Sequence, residues 1–146
     1  MSYFEQVRQL LLDLGCDITF EEPNGELFII SDESRGINNM ILDCEGDILI
    51  MEQIIVPIRE EKPEHFKRLL QINRALVHGA FVLNSSQEDY EIVAFRDTLQ
   101  LPNLDPNELE GSLNALTLAL IENLDELLYI SGESGSDEEG NQRPIE

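Results

Sequence analysis

Tryptophan is absent from this 146-residue chain, cysteine and histidine occur twice each, and basic side chains are scarce: nine Lys and Arg face thirty Asp and Glu, a formal net charge of −21. Each shortage excludes something. Cys16 and Cys44 form no CxxC and have no histidine nearby in sequence, which rules out a disulfide framework and a zinc cluster and leaves two reduced, part-buried thiols. With so few cations there is no basic stripe to release counterions from a phosphate backbone; Lys62, Lys67, Arg68 and Arg74 come closest, and Glu60, Glu61 and Glu64 dilute them. Nucleic acid is therefore not an expected partner. No run of about 18 apolar residues occurs, and Met1 to Glu5 lack the basic and apolar regions of a signal peptide, so no membrane insertion and a cytoplasmic location are expected.

Catalytic patterns are missing as well. There is no glycine-rich phosphate loop, no GxSxG elbow and no Cys and His pair spaced as nucleophile and base. His65 and His78 fall on one expected helix about 20 Å apart along its axis, too far to share a metal. His65, in the first turn, reads as solvated, and His78 as a residue of the helix end. Asp43-Cys44-Glu45-Gly46-Asp47 crowds acids around a glycine but lacks the length and the late glutamate of a calcium loop, so it reads as a tight turn. The expectation is a protein that is not an enzyme, with no catalytic residue, cofactor or metal.

What is present is enough for one folded domain. Hydrophobic residues make up 42% and charged residues 27%, the balance of a globular protein, and a chain of this length can bury one real core. Tyr3, Phe4, Val7, Leu10, Leu11 and Leu14 recur at helical spacing behind Ser2, with Glu5 placed for a capping box and Gly15 as a stop. A hairpin follows, with Ile18 and Phe20 on one arm, a Pro23-Asn24-Gly25 turn, and Leu27 to Ile30 on the other. In the next strand Met40, Leu42 and Cys44 alternate with Asn39, Ile41 and Asp43. The run from Asp47 to Ile58 is apolar on both sides, as a central strand or one covered on both faces would be.

Pro57 and Pro63 bracket a polar linker, and a second helix then puts Phe66, Leu69, Leu70, Asn73, Leu76 and Val77 on one stripe, closed by Gly79. A second hairpin, 80–83 with 90–99, surrounds the loop 84–89. Asp105-Pro106-Asn107-Glu108 is a strong helix start, and a long leucine-rich helix follows, its stripe widened by Leu118, Ala119, Ile121 and Leu128. The predicted fold class is α+β, an antiparallel sheet packed with helices in the order α-β-β-β(-β)-α-β-β-α. One domain spans 1–131, and 132–146 form a flexible acidic tail.

Asn73 sits on an apolar stripe, where a buried amide needs partners for its oxygen and its hydrogens; it is expected to anchor the helix to a neighbouring turn or strand. Arg96 and Asp97 are expected to serve structural pairing near the end of the second hairpin.

The runs Leu69-Leu70-Gln71-Ile72-Asn73-Arg74, Gly79-Ala80-Phe81-Val82-Leu83 and Phe95-Arg96-Asp97-Thr98-Leu99, the Leu101-Pro102 exit and the leucine-rich last helix resemble the YbjN-type and type III secretion chaperone-like (Tir chaperone, CesT-like) superfamily. The early hairpin, 18–30, is a departure from the secretion group and brings the chain closer to the YbjN-like branch. The resemblance implies a homodimeric sandwich that holds an extended segment of a client protein, the acidic rim recruiting basic stretches. Phe20, Leu27 and Ile29 are the candidate protein-binding residues; Leu76, Phe81 and Phe95 are the candidate dimer contacts. The alternative is a small-molecule or ion sensor with its pocket between sheet and helices.

Overall fold

The computed structural model describes residues 1–85 and 89–132. Its order is α1 (Tyr3–Asp13), β1 (Asp17–Glu22), β2 (Leu27–Asp32), a 3-10 turn (Glu33–Arg35), β3 (Ile37–Glu45), β4 (Ile48–Ile58), α2 (Pro63–Ala75), β5 (Ala80–Asn84), β6 (Glu91–Gln100) and α3 (Pro106–Ser131). The α+β expectation holds. The acidic tail, apart from Gly132, and residues 86–88 of the expected loop lie outside the described residues.

All six strands form one antiparallel sheet in the order β1-β2-β3-β4-β6-β5. Because side chains alternate along each strand, the register defines two faces. One cross-strand row runs Phe28, Leu42, Met51, Asp97 and points to the helices. There Phe28 stacks on Phe4 of α1, and Asp97 accepts a hydrogen bond from Ser112 of α3. The neighbouring row, Phe20, Ile29, Ile41, Glu52, Arg96, Ala80, points the opposite way. A single core fills the covered side, with Val7, Leu11, Phe28, Ile30, Leu42, Leu49, Leu109, Leu113 and Leu116 fully enclosed.

The helix ends follow local chemistry. Ser2 caps α1 and Asp105 caps α3, each in a reciprocal box with the glutamate three residues on, Glu5 and Glu108, so two orphan donors are satisfied at each start. The stop expected at Gly79 lies too far along: α2 ends at Ala75, Leu76 is already extended, and Gly79, at φ 73°, turns the chain into β5. A Cβ at Gly79 would sit 2.3 Å from the ring of Phe95, so both the backbone angle and the close approach require glycine. β4 is central, between β3 and β6, yet its outward side chains Ile48 and Ile54 remain exposed. Likewise Leu118 and Ile121, expected to widen the buried stripe of α3, lie with Leu124 on its exposed side; the buried stripe runs through Leu109, Leu113, Leu116, Ala119, Leu127 and Ile130.

Candidate functional site

The side of the sheet away from the helices carries apolar groups that nothing in the described chain covers. Phe20 is 49% exposed, Ile41 42% and Ile54 51%, with Leu27, Ile29 and Ile50 half-buried around them. Phe20, Ile29 and Ile41 stand side by side on β1, β2 and β3 in one row. At the usual strand spacing they span about 10 Å, wide enough for an extended segment or one side of a helix. A shallow depression of about 270 Å³ lies beside them, floored by Ile41, Ile50 and Ile54. Large exposed apolar surface on a soluble fold marks an interaction site more often than an accident of packing.

Charge is unevenly placed around this patch. On its β4 and β6 side, Glu52 is fully engaged: one carboxylate oxygen accepts from Arg96 at 3.0 Å and the other from the Asn84 amide at 2.7 Å. Arg96 therefore pairs across the strands, with Glu52 rather than with its neighbour Asp97. On the opposite side, Asp43 shares a row with Leu27 and Ile50, and Glu45 and Glu26 lie close by. None of these three acids has a cation partner among the described residues. The crowding is felt: a hydrogen bond with the Asp43 carboxyl, then its like charge, holds the Glu45 carboxyl above the usual carboxylate range. Between them the Cys44 thiol, on the covered face, is pushed up to about 11 by burial and by the same acids.

The expected binding residues thus fall together. Phe20, Leu27 and Ile29 all belong to the outward face; the sequence reading missed Ile41, Ile50 and Ile54, which complete the patch. Their signal was the alternation of β3 and β4, which sets Ile41 opposite Met40 and Leu42.

Of the expected dimer contacts, two lie inside the protomer. Phe81 and Phe95 are 4% and 1% exposed and pack edge to face, centroids 5.6 Å apart, inside the protomer. They have no surface to offer a second copy, and Leu76 is half-buried against the same core. Asn73 ties α2 to β5: its Nδ2 donates to the Phe81 carbonyl at 2.9 Å and its Oδ1 accepts from the Phe81 N–H at 2.8 Å. His65 is buried, not solvated, since Tyr129 of α3 packs against its ring and its Nδ1 bonds the Glu60 carbonyl oxygen.

Two other hollows are lined by several ionisable side chains. One of about 330 Å³, between β6 and the start of α3, is lined by His78, Asp97, Asp105, Glu108 and Ser112. This is the place between sheet and helices where a sensor would hold its ligand. The other, of about 220 Å³, lies among Arg59, Lys62, His65 and Tyr129. Among the described residues, no three His, Cys, Asp or Glu side chains are grouped to hold a metal ion, and no helix is long and apolar enough to cross a membrane.

A family model, CesT_Tir_1, matches residues 1–133. The chain belongs to the CesT_Tir_1 family. Its fold is of the CesT-like chaperone type, consistent with a protein-binding module. Among solved structures, YbjN from E. coli, described as a proposed transcription regulator, superposes with a TM-score of 0.62 at 14% identity, covering 83% of this chain and 90% of that one. An uncharacterized protein from Methanothermobacter thermautotrophicus superposes at 0.64 with 12% identity, covering 90% and 100%. At such identities the likeness is one of fold. No curated protein sequence matches the chain.

Proposed function

We propose that this CesT_Tir_1 member is a non-enzymatic protein-binding module, a chaperone-like holder or regulatory adaptor, which lays a client polypeptide on the uncovered face of its sheet. The observation that carries this reading is the one-sided layering: α1, α2 and α3 bury one face while Phe20, Ile29, Ile41 and Ile54 stand open on the other. Burying each such side chain against a partner contributes about 1.5–3 kcal/mol of apolar transfer, before the cost of ordering the partner, so a few anchors suffice for a reversible complex. The same reading places the protein in the cytoplasm as a homodimer. It assigns the dimer contact to the exposed α3 stripe of Leu118, Ile121 and Leu124, since Phe81 and Phe95 are enclosed.

A photo-crosslinking residue introduced at position 29 or 41 tests the client surface directly. It is expected to trap one polypeptide from the native extract, and the double change Phe20→Ser/Ile54→Ser is expected to abolish that product without unfolding the protein. Crosslinks that survive the double change, or that form only from position 118 or 121 on α3, would move the client off the sheet.

A further inference from the structure

We infer that the segment received by this sheet face is amphipathic and basic, with apolar side chains seated on Phe20, Ile29 and Ile41 and a lysine or arginine reaching Asp43 and Glu45. The inference rests on the client-binding reading and goes further, because it names the chemistry of the partner. Asp43 and Glu45 lie at the margin of the apolar patch and not at random on an acidic surface. Asp43 stands two residues along β3 from Ile41 and pairs in register with Leu27 and Ile50, both of which face outward with it. A segment of about five extended residues, with a side chain toward the sheet at every second position, spans Phe20 to Ile41; Asp43 lies to one side of that line, about 7 Å along β3 from Ile41, within reach of a long basic side chain from the segment's end.

The electrostatics of that corner call for a cation. On this face Glu52 is already served by Arg96, with Asn84 on its second oxygen, whereas Glu22, which shares the Leu27 and Asp43 row, adds a further acid with no cation partner among the described residues to that corner. Asp43, Glu45 and Glu26 are left with one another: a hydrogen bond with Asp43 first, then the like charge of Asp43 and Glu26, raises the Glu45 carboxyl. A bound ammonium or guanidinium would relieve this crowding and gain charge-assisted hydrogen bonds. A second copy of the chain would have the reverse effect, setting the unpaired acids of each protomer against those of the other. The chain's own terminus fails likewise, for 133–146 bring Glu133, Asp137, Glu138, Glu139 and Glu146 against a single Arg143.

Three short fluorescent peptides that alternate leucine with lysine, glutamine or glutamate serve as probes, with anisotropy read on the full chain at low and moderate salt. The lysine peptide is expected to bind about tenfold more tightly than the glutamine peptide, and the glutamate peptide not to bind. Asp43→Asn/Glu45→Gln is expected to erase the lysine advantage while leaving glutamine-peptide binding unchanged. Glu122→Gln/Asp125→Asn removes the same charge from α3 and is expected to leave both affinities within about twofold, which separates the corner from the general field. Phe20→Ser/Ile41→Ser is expected to weaken both peptides. Equal binding of lysine and glutamine peptides, or equal losses in the two charge variants, overturns the basic-segment inference and leaves the docking face standing. Lysine and glutamine binding that is indifferent to Phe20→Ser/Ile41→Ser overturns the docking face itself, and absence of binding by any peptide overturns the inference.

Discussion

Replacing Asn73 with alanine would strip both of its hydrogen bonds to Phe81 at once, leaving a strand N–H and carbonyl without their partners at the join between α2 and β5. A cost of about 2–4 kcal/mol is expected, read as a lower urea midpoint at unchanged slope. Binding of any client to the sheet face should be intact in the fraction that remains folded, since Asn73 does not reach that face. This residue was legible in the sequence because an amide on an apolar stripe is a question about partners. Phe81 and Phe95 were not legible as core. Alternation tells which residues share a face of a strand, but which face the helices cover depends on contacts from elsewhere in the chain. His65 was misread for a similar reason, because Tyr129, which encloses it, lies on a different helix far along the sequence. Gln53 gave no signal at all, yet it is buried and pins the turn before β3, accepting from Asn38 N–H at 2.9 Å and donating to the Gly36 carbonyl at 3.2 Å.

Among elements, α3 separates two kinds of leucine-rich surface on one helix. Leu116→Ala, in the core, is expected to cost about 2–5 kcal/mol in chemical denaturation. Ile121→Glu, 70% exposed in the protomer, is expected to leave the intrinsic stability of the protomer within about 0.5 kcal/mol, compared at concentrations too low for association. If the stripe joins two protomers, sedimentation of the Ile121→Glu protein gives a monomer where the parent gives a dimer; an unchanged mass removes α3 from the interface. The helix starts were readable to the residue, since Ser2 with Glu5 and Asp105 with Glu108 have one economical local use. The strands were readable too, through alternation and turns. The width of the α3 stripe was not, because a helix with leucine on most sides advertises more buried surface than one sheet can cover.

At the scale of the whole molecule, −21 is a mutual repulsion that folding must contain. Raising the salt from about 0.01 to 0.15 M shortens the Debye length from about 30 to 8 Å, and the melting temperature is expected to rise by roughly 3–5 °C in calorimetry. A fall would mean that the ion pairs Arg35 makes with Asp32 and Glu110, and Arg8 with Glu21, outweigh the general field. The acidity itself could be read from the first line of the sequence. Its unequal distribution over the sheet could not, for it arises only when the register sets Arg96 beside Glu52 and gives Asp43 no cation.

The strand order has a kinetic side. Strands β1 to β4 pair with their sequence neighbours, so they can zip up one hairpin after another, whereas β6 must find β4 across everything between 58 and 91. Closing so long a loop costs conformational entropy before any reward arrives, so this seam is expected to form after the β1 to β4 hairpins. Until it forms, one edge of β4 is unpaired, and the inner side of β4 still waits for α3, which follows β6 in the chain. A newly made chain would then display apolar surface on both faces, and be at its most adhesive just before it becomes selective.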